Sequence, residues 1–326
     1  MQQLLLQMEN IISGRDILVT GGAGAIGNWM VKVLAKNNEV TVLDNFSSGH
    51  KSNIKDLAKV RVIHDDLIHD ECLKKTFDRR YDLIFHLAAN FANQNSVENP
   101  QKDLLINGLG TLRLLEHAKI SNSGRFIYSS SSCVYGNSAG AIPESAKASL
   151  LDTPYAISKL LGEQYCDYFK ATFNLDTVVL RYFNSFGPGE FPGAFRNVIP
   201  NFLALAMKGE PLLITGDGTE TRDFNFVLNT VLGTLLAGVK PDIAGSCFNI
   251  GSGISVSISE LANKINELTG NKSGLKYIQR RHWDHIDHRR ADISRSKELI
   301  QYSPTISLDE GLIHTYEWFK QNCVTS

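Results

Sequence analysis

Tyr155 and Lys159 stand four residues apart in the run PYAISK, a spacing that puts both side chains on one face of a helix. A free phenol has a pKa near 10, so its anion is scarce at neutral pH. A neighbouring ammonium favours the phenolate, and a second cation favours it further. Lowering the phenol about three pKa units takes roughly 4 kcal/mol, which two close cations in a dry site supply. Taken alone, the pair also fits an ordinary surface helix. Upstream, RFIYSSSSCVYG ends an apolar run in four serines, Ser129 to Ser132. A hydroxyl at such a strand end can hold a substrate oxygen while a phenol moves its proton.

These groups need a scaffold. From Asp16 onward short apolar runs alternate with helical patterns: DILVT (16–20), VTVL (40–43), VRVI (60–63), DLIFH (82–86), RFIYS (125–129) and TVVLR (177–181). They are rich in Val, Ile and Leu and barely alternate, as strands covered on both faces do. Ile26, Trp29, Met30, Val33 and Leu34 follow the spacing of a helix face. The alternation predicts an α/β fold, a Rossmann-type doubly wound parallel sheet over 14–182 after an N-terminal extension, 1–13, that is helical or frayed. FNSFGPGEFPGAF then breaks the pattern, and residues 183–326 read as a smaller α/β substrate-binding lobe. SCFNI (246–250) is expected to return to the main sheet within 245–251, and SISELANKINEL (257–268) to form a helix capped by Ser257 or Ser259.

The first strand runs into glycines, DILVTGGAGAIG. Gly21, Gly24 and Gly27 fit GxxGxxG, and Gly22, Gly24 and Gly27 fit GxGxxG. Such a turn lets backbone N–H groups approach a pyrophosphate at a helix N-terminus. Strand, turn and amphipathic helix form the context the motif requires. Asp44 ends the second strand, where an acid binds an adenosine ribose diol; it would repel the 2′-phosphate of NADP, so the expected cofactor is NAD. The bland reading is a structural turn and a solvated acid. Asp65 and Asp66 end the third strand, either near an adenine amino group or as loop and cap acids. The small residues of HLAAN (86–90) leave room for a dinucleotide.

Composition narrows the function classes. The 326 residues are 43% hydrophobic and 21% charged with net charge −1, as in a soluble globular protein, without the basic excess of a general nucleic-acid binder. Five scattered cysteines form no CxxC pair, which suggests a reducing compartment. MQQLLLQMENIIS lacks a basic start and a small-residue cleavage site, and no apolar run is long enough for a bilayer. The expected location is the cytoplasm, with no membrane partner.

TGGAGAIG, DNFSSGH, HLAAN, SVENP, INGLGTLRLLEHA, YSSSSCVYG, PYAISK, LRYFNSFGP, GDGTETRDF, FNIGSG and LDEGL occur in the order seen in the extended short-chain dehydrogenase/reductase family. Over about residues 15–320 the chain resembles the nucleotide-sugar epimerases and dehydratases of that family, UDP-glucose 4-epimerase among them. The resemblance implies Ser131, Tyr155 and Lys159 as the catalytic set, with Ser132 one position away. Around NAD it implies Gly21, Gly24, Ala25, Ile26, Gly27, Asp44, Asn45, Asp66, Leu67, Leu87, Ala88, Ala89, Asn107 and Tyr182 beside Tyr155 and Lys159. Around a nucleotide-diphosphate sugar it implies Asn93, Ser131, Asn184, Asn197, Val198, Arg222, Arg281 and Asp284, with the arginines on the diphosphate and Asp284 on a ribose hydroxyl. Planar guanidinium donors match phosphate oxygens.

The implied reaction is C4 epimerisation of a nucleotide-linked hexose through a transient 4-keto sugar. Dehydration, decarboxylation or ketoreduction of the same substrate class are the alternatives, and a non-catalytic dinucleotide-sensing regulator is the alternative from another class. Related dehydratases and decarboxylases usually carry an acid two positions after the catalytic Ser or Thr. Cys133 stands there and is expected to be a buried, small apolar residue; a thiol is a poor acid for expelling water. Where the family often reads VDD, this chain reads VLN (227–229), and Asn229 is expected to cap a helix. His282, His285 and His288 stand three apart, but the chemistry needs no metal, and the expectation is no metal site. Relatives pair as homodimers through two long helices, here about 95–119 and 155–173.

Overall fold

The six apolar runs become six neighbouring strands, most of them sealed on both faces, while the edge strand Val60–His64 leaves Val62 exposed. A computed structural model describes residues 1–323 apart from 56, 58, 138, 139 and 149. The strands are β1 (Asp16–Thr20), β2 (Glu39–Asp44), β3 (Val60–His64), β4 (Leu83–His86), β5 (Arg125–Ser131) and β6 (Thr177–Tyr182), joined by β7 (Ser246–Ile250). All pairings are parallel, in the order β7-β6-β5-β4-β1-β2-β3. The strand order reverses between β1 and β4, and ligands of open parallel sheets bind outside the carboxyl ends at such a point. Ile17, Leu18 and Val19 of β1 have no solvent-accessible surface, which is why the run reads as continuously apolar.

The N-terminal segment forms helix α1 (Gln2–Glu9), and Leu4, Met8 and the following Ile12 pack into the main core. Helix α2 (Ala25–Leu34) starts at the glycine turn, with Gly24 as its N-cap. Helix α3 (Pro154–Phe173) starts with Pro154 in the first turn and Thr153 at its N-cap, where Oγ1 accepts from the Ala156 N–H. Outside the main sheet the chain builds small sheets, one from 141–142, 221–222, 256–257 and 288–291, with helices α4 (Val198–Met207) and α5 (Val227–Val239) beyond β6. Ser257 caps the helix Ile258–Thr269 by accepting from the Glu260 N–H.

Asn229 does not cap a helix. Phe226 is the N-cap of α5, and Asn229 lies buried inside its first turn. Its Oδ1 accepts from the N–H groups of Thr305 and Ile306, at 2.9 and 3.1 Å, and its Nδ2 donates to the Ile306 carbonyl at 2.8 Å. The amide serves a segment distant in sequence, which no local pattern announces.

Candidate active site

A cleft of about 1150 Å³ opens at the carboxyl ends of β1 and β4 and runs towards the small sheets. Gly21, Gly24 and Gly27 line it. Gly21 has φ +71°, and a Cβ there would meet the Ala88 backbone nitrogen at 2.7 Å. A Cβ on Gly27 would collide with the Gly21 carbonyl. Gly22 instead packs on Val42, so GxxGxxG describes the lining and Gly22 closes the turn from behind. Gly24 brings no side-chain cap to α2, so the helix start presents backbone N–H groups and partial positive charge to an anion.

Asp44 ends β2 with Oδ2 accepting from the Ala23 N–H at 2.8 Å and Oδ1 from the Phe46 N–H at 2.7 Å. Burial raises its pKa, against those two backbone bonds. The acid therefore braces the glycine turn while facing the cleft. Asn45 donates to Asp66 Oδ2 at 2.7 Å, and both line the cleft with Leu67. Asp65 contacts the Asp66 N–H and His69 through one oxygen, which is the loop-acid reading. Ala25, Ile26, Leu87, Ala88, Ala89 and Tyr182 complete the dinucleotide side.

Asn107 reaches the helix that carries Tyr155 and Lys159 from behind the cleft wall. It does not line the cleft; it lies buried behind it, with Oδ1 accepting from the Asn90 N–H at 2.8 Å and Nδ2 donating to Asp103 at 2.9 Å and Ser158 at 3.3 Å. It ties the Asn90 segment to α3 at Ser158.

The four serines separate by partner. Ser129 donates to the His86 carbonyl and Ser130 to Glu163. Ser131 accepts from the Cys133 N–H and lines the cleft together with Tyr155. Tyr155 is buried near the start of α3, and its own N–H donates to Ser96 at 3.0 Å. Lys159, one turn on, donates from Nζ to the Ser129 carbonyl at 2.8 Å, and Nζ stands 5.8 Å from the Tyr155 ring centre. The helix spacing thus brings Ser131, Tyr155 and Lys159 to one end of β5.

Electrostatics qualifies the expectation of a lowered phenol. Burial raises the Tyr155 pKa, with Cys133 and Asp103 adding to it and the Ser131 bond opposing. Burial also pulls Lys159 down to about 8, against Asp103 and Glu163. Only one of the two cations invoked for the phenolate is a protein group, and burial dominates the Tyr155 shift without a contribution from Lys159 among its causes.

On the other wall Asn93, Asn184, Asn197, Val198, Arg222, Arg281 and Asp284 all reach the cleft. Asn197 is the N-cap of α4 and donates to Glu190 at 3.1 Å. Asn184 donates to the Asp223 carbonyl at 3.2 Å, and Arg281 lies over the Trp283 ring. Asp284 is already engaged, 3.6 Å from Arg222 and 3.9 Å from Arg280.

Cys133 is not buried apolar filling. It is half-buried on the cleft wall, with Asn93 Nδ2 and Arg289 Nη1 each 3.5 Å from its sulfur. Sequence reasoning missed Arg289 and Glu190; the His/Arg-rich run before ADI pointed to the first only by composition. His288 bonds Thr221 at 3.1 Å, and among the described residues no three His, Cys, Asp or Glu side chains gather as metal ligands do. Among those residues no helix is long and apolar enough to cross a membrane.

A doubly wound sheet with a glycine turn, a ribose-side acid and a Ser–Tyr–Lys cluster defines a class of dinucleotide-dependent enzymes acting on alcohols and carbonyls. The NAD dependent epimerase/dehydratase family model matches residues 17–251, and the chain belongs to that family. A solved structure titled as the epimerase Mth375 of Methanothermobacter thermautotrophicus is 45% identical, with TM-score 0.95 over 98% of this chain and 96% of that one. UDP-N-acetyl-alpha-D-glucosaminuronate decarboxylase of Bacillus cytotoxicus is 32% identical over 93% of this chain and 97% of its own. A putative UDP-glucose 4-epimerase of Methanocaldococcus jannaschii is 33% identical over 94% of this chain and 99% of its own. The cofactor of the family is NAD. The residues fit it: an uncapped helix start for the pyrophosphate, Asp44 for the ribose diol, and Lys159 with donors to spare.

Proposed function

We propose that this enzyme epimerises a nucleotide-diphosphate sugar at C4 through a transient 4-keto sugar. The observation that carries the reading is the gathering of Ser131, Tyr155 and Lys159 in one cleft at the end of β5, with a thiol at position 133. NAD, when bound, supplies the hydride acceptor and donor. Tyr155 takes the proton of the 4-hydroxyl and returns it, and Ser131 holds that oxygen throughout. Lys159 favours the phenolate by its charge. Asn184, Asn197, Val198, Arg222 and Arg281 anchor the diphosphate while the flat sugar turns over in the cleft. Cys133 leaves no carboxylic acid beside Ser131 to expel water, which weighs against a dehydratase.

Exposed Leu104, Leu105, Leu109, Ile157, Tyr168 and Phe173 on 104–109 and α3 support pairing with a second copy of the chain through these helices. Incubating the purified protein with UDP-hexoses and UDP-hexuronates, followed by chromatography and mass spectrometry, tests the reading. A C4 epimer of unchanged mass is the expected product. Loss of water or carbon dioxide, or consumption of added NADH, would reject it.

A further inference from the structure

Arg289 is a buried cation whose charge no described protein group balances. It lies on the strand His288–Ala291, which pairs in parallel with Thr221–Arg222 so that Arg222 and Arg289 are direct neighbours in register. Arg289 is only 6% exposed and lines the cleft. One of its nitrogens donates to the Gly136 carbonyl at 3.0 Å and another stands 3.5 Å from the Cys133 sulfur, while Nε is buried with no partner. Among the described residues no carboxylate comes within ion-pair distance of it, whereas Arg222 has Asp284 at 3.6 Å.

Two guanidiniums side by side in a dry wall repel each other. Burial and then Arg289 pull the Arg222 pKa down to about 10. Such an arrangement calls for more negative charge than Asp284 carries, because an unpaired buried charge is costly. The diphosphate assigned to Arg222 and Arg281 supplies part of it. Arg289 reaches Cys133 instead. Its neighbour Cys133 follows Ser131 by two residues, and both line the cleft with Tyr155. A sugar whose C4 meets Ser131 and Tyr155 would bring its C6 substituent towards this wall, where a neutral hydroxymethyl group would leave the charge unmatched.

We propose that Arg289 makes this chain selective for a nucleotide-linked sugar acid, its guanidinium receiving the C6 carboxylate carried next to the reacting C4. The assignment rests on the nucleotide-sugar reading above and deepens it. Arg289 is a specificity residue here; proton movement stays with Tyr155. Cys133 suits this arrangement because a carboxylate at that position would pair with Arg289 and repel the substrate's own.

The test compares binding of UDP-glucuronate, UDP-glucose and UDP to the NAD-loaded protein by calorimetry, in wild type, Arg289→Gln and Arg289→Lys. We expect wild type to prefer UDP-glucuronate over UDP-glucose by about tenfold to a hundredfold, the range of a charge-assisted bond. Arg289→Gln should lose that preference by weakening the acid alone, leaving UDP and UDP-glucose within about threefold. Arg289→Lys, which keeps the charge, should keep part of the preference. If Arg289→Gln does not fold, the wild-type ratio and the lysine variant decide the matter. UDP binding without an acid preference, or equal loss of both sugars in Arg289→Gln, overturns the inference alone. No binding of any of the three overturns the nucleotide-sugar reading and this inference with it. Release of carbon dioxide from a preferred UDP-glucuronate supports Arg289 as the carboxylate site while overturning C4 epimerisation.

Discussion

Glu163 and Arg181 lock helix α3 to strand β6, with Nη2 2.6 Å from Oε2 and Nε 2.9 Å from Oε1. Both side chains are largely buried, and Ser130 donates to the same carboxylate. Glu163 is one turn beyond Lys159, so the pair fixes the face of the helix that carries Tyr155 and Lys159 against the serine strand. Removing one partner leaves the other charge buried and alone. Glu163→Ala is expected to cost about 3–5 kcal/mol in urea unfolding. A loss below about 1 kcal/mol would show that the pair does not hold the helix.

Tyr155 carries the proton in the proposed reaction and Ser131 only holds the oxygen. Tyr155→Phe removes one hydroxyl and keeps the ring packed against Phe91. Turnover should fall by about a hundredfold to ten-thousandfold, while NAD copurifies as before. Steady-state assay and quantification of bound NAD check this together. Unchanged turnover would remove Tyr155 from the mechanism, and loss of NAD would mean that the substitution disturbed the cleft.

Glu190 gives stability a pH dependence separate from the chemistry. It is 4% exposed, with Oε1 accepting from Asn197 and Oε2 unpartnered. Burial pushes its carboxyl from 4.5 up to about 7, against Arg196 and the Asn197 bonds. Between those values the folded protein keeps the proton and the unfolded chain releases it. Stability therefore falls as pH rises through that window and levels off above it. Glu190→Gln keeps an acceptor for Asn197 and cannot ionise. It should match wild type near the acid end of the window and exceed it at pH 8 by up to roughly 3 kcal/mol. Urea unfolding of both proteins at the two pH values decides it, and parallel pH profiles would refute the role of Glu190.

Much of this was open to a reading along the chain. The strands, the glycine turn and the Tyr155–Lys159 spacing are properties of neighbours within a few residues, and their period and composition survive into the fold. Cys133 and Asn229 were read differently because their partners come from elsewhere, as do the groups that hold Asn107. Asn90 and Ser158 draw Asn107 inward, Asn93 and Arg289 draw Cys133 onto the cleft wall, and the segment around Ile306 occupies Asn229. Arg289 looked like one basic residue among several until the register with Arg222 placed it.

By itself the sequence determined a parallel sheet, a pyrophosphate turn and the helix that presents a phenol and an amine together, since each depends on local periodicity and backbone freedom. Only the tertiary structure decided what each of the four serines touches, that Asn107 stands behind the cleft, and that the Arg289 guanidinium lines it without a counter-charge among the described residues. Hydrogen-bond partners and burial are set by residues far apart in the chain, and no local pattern encodes them.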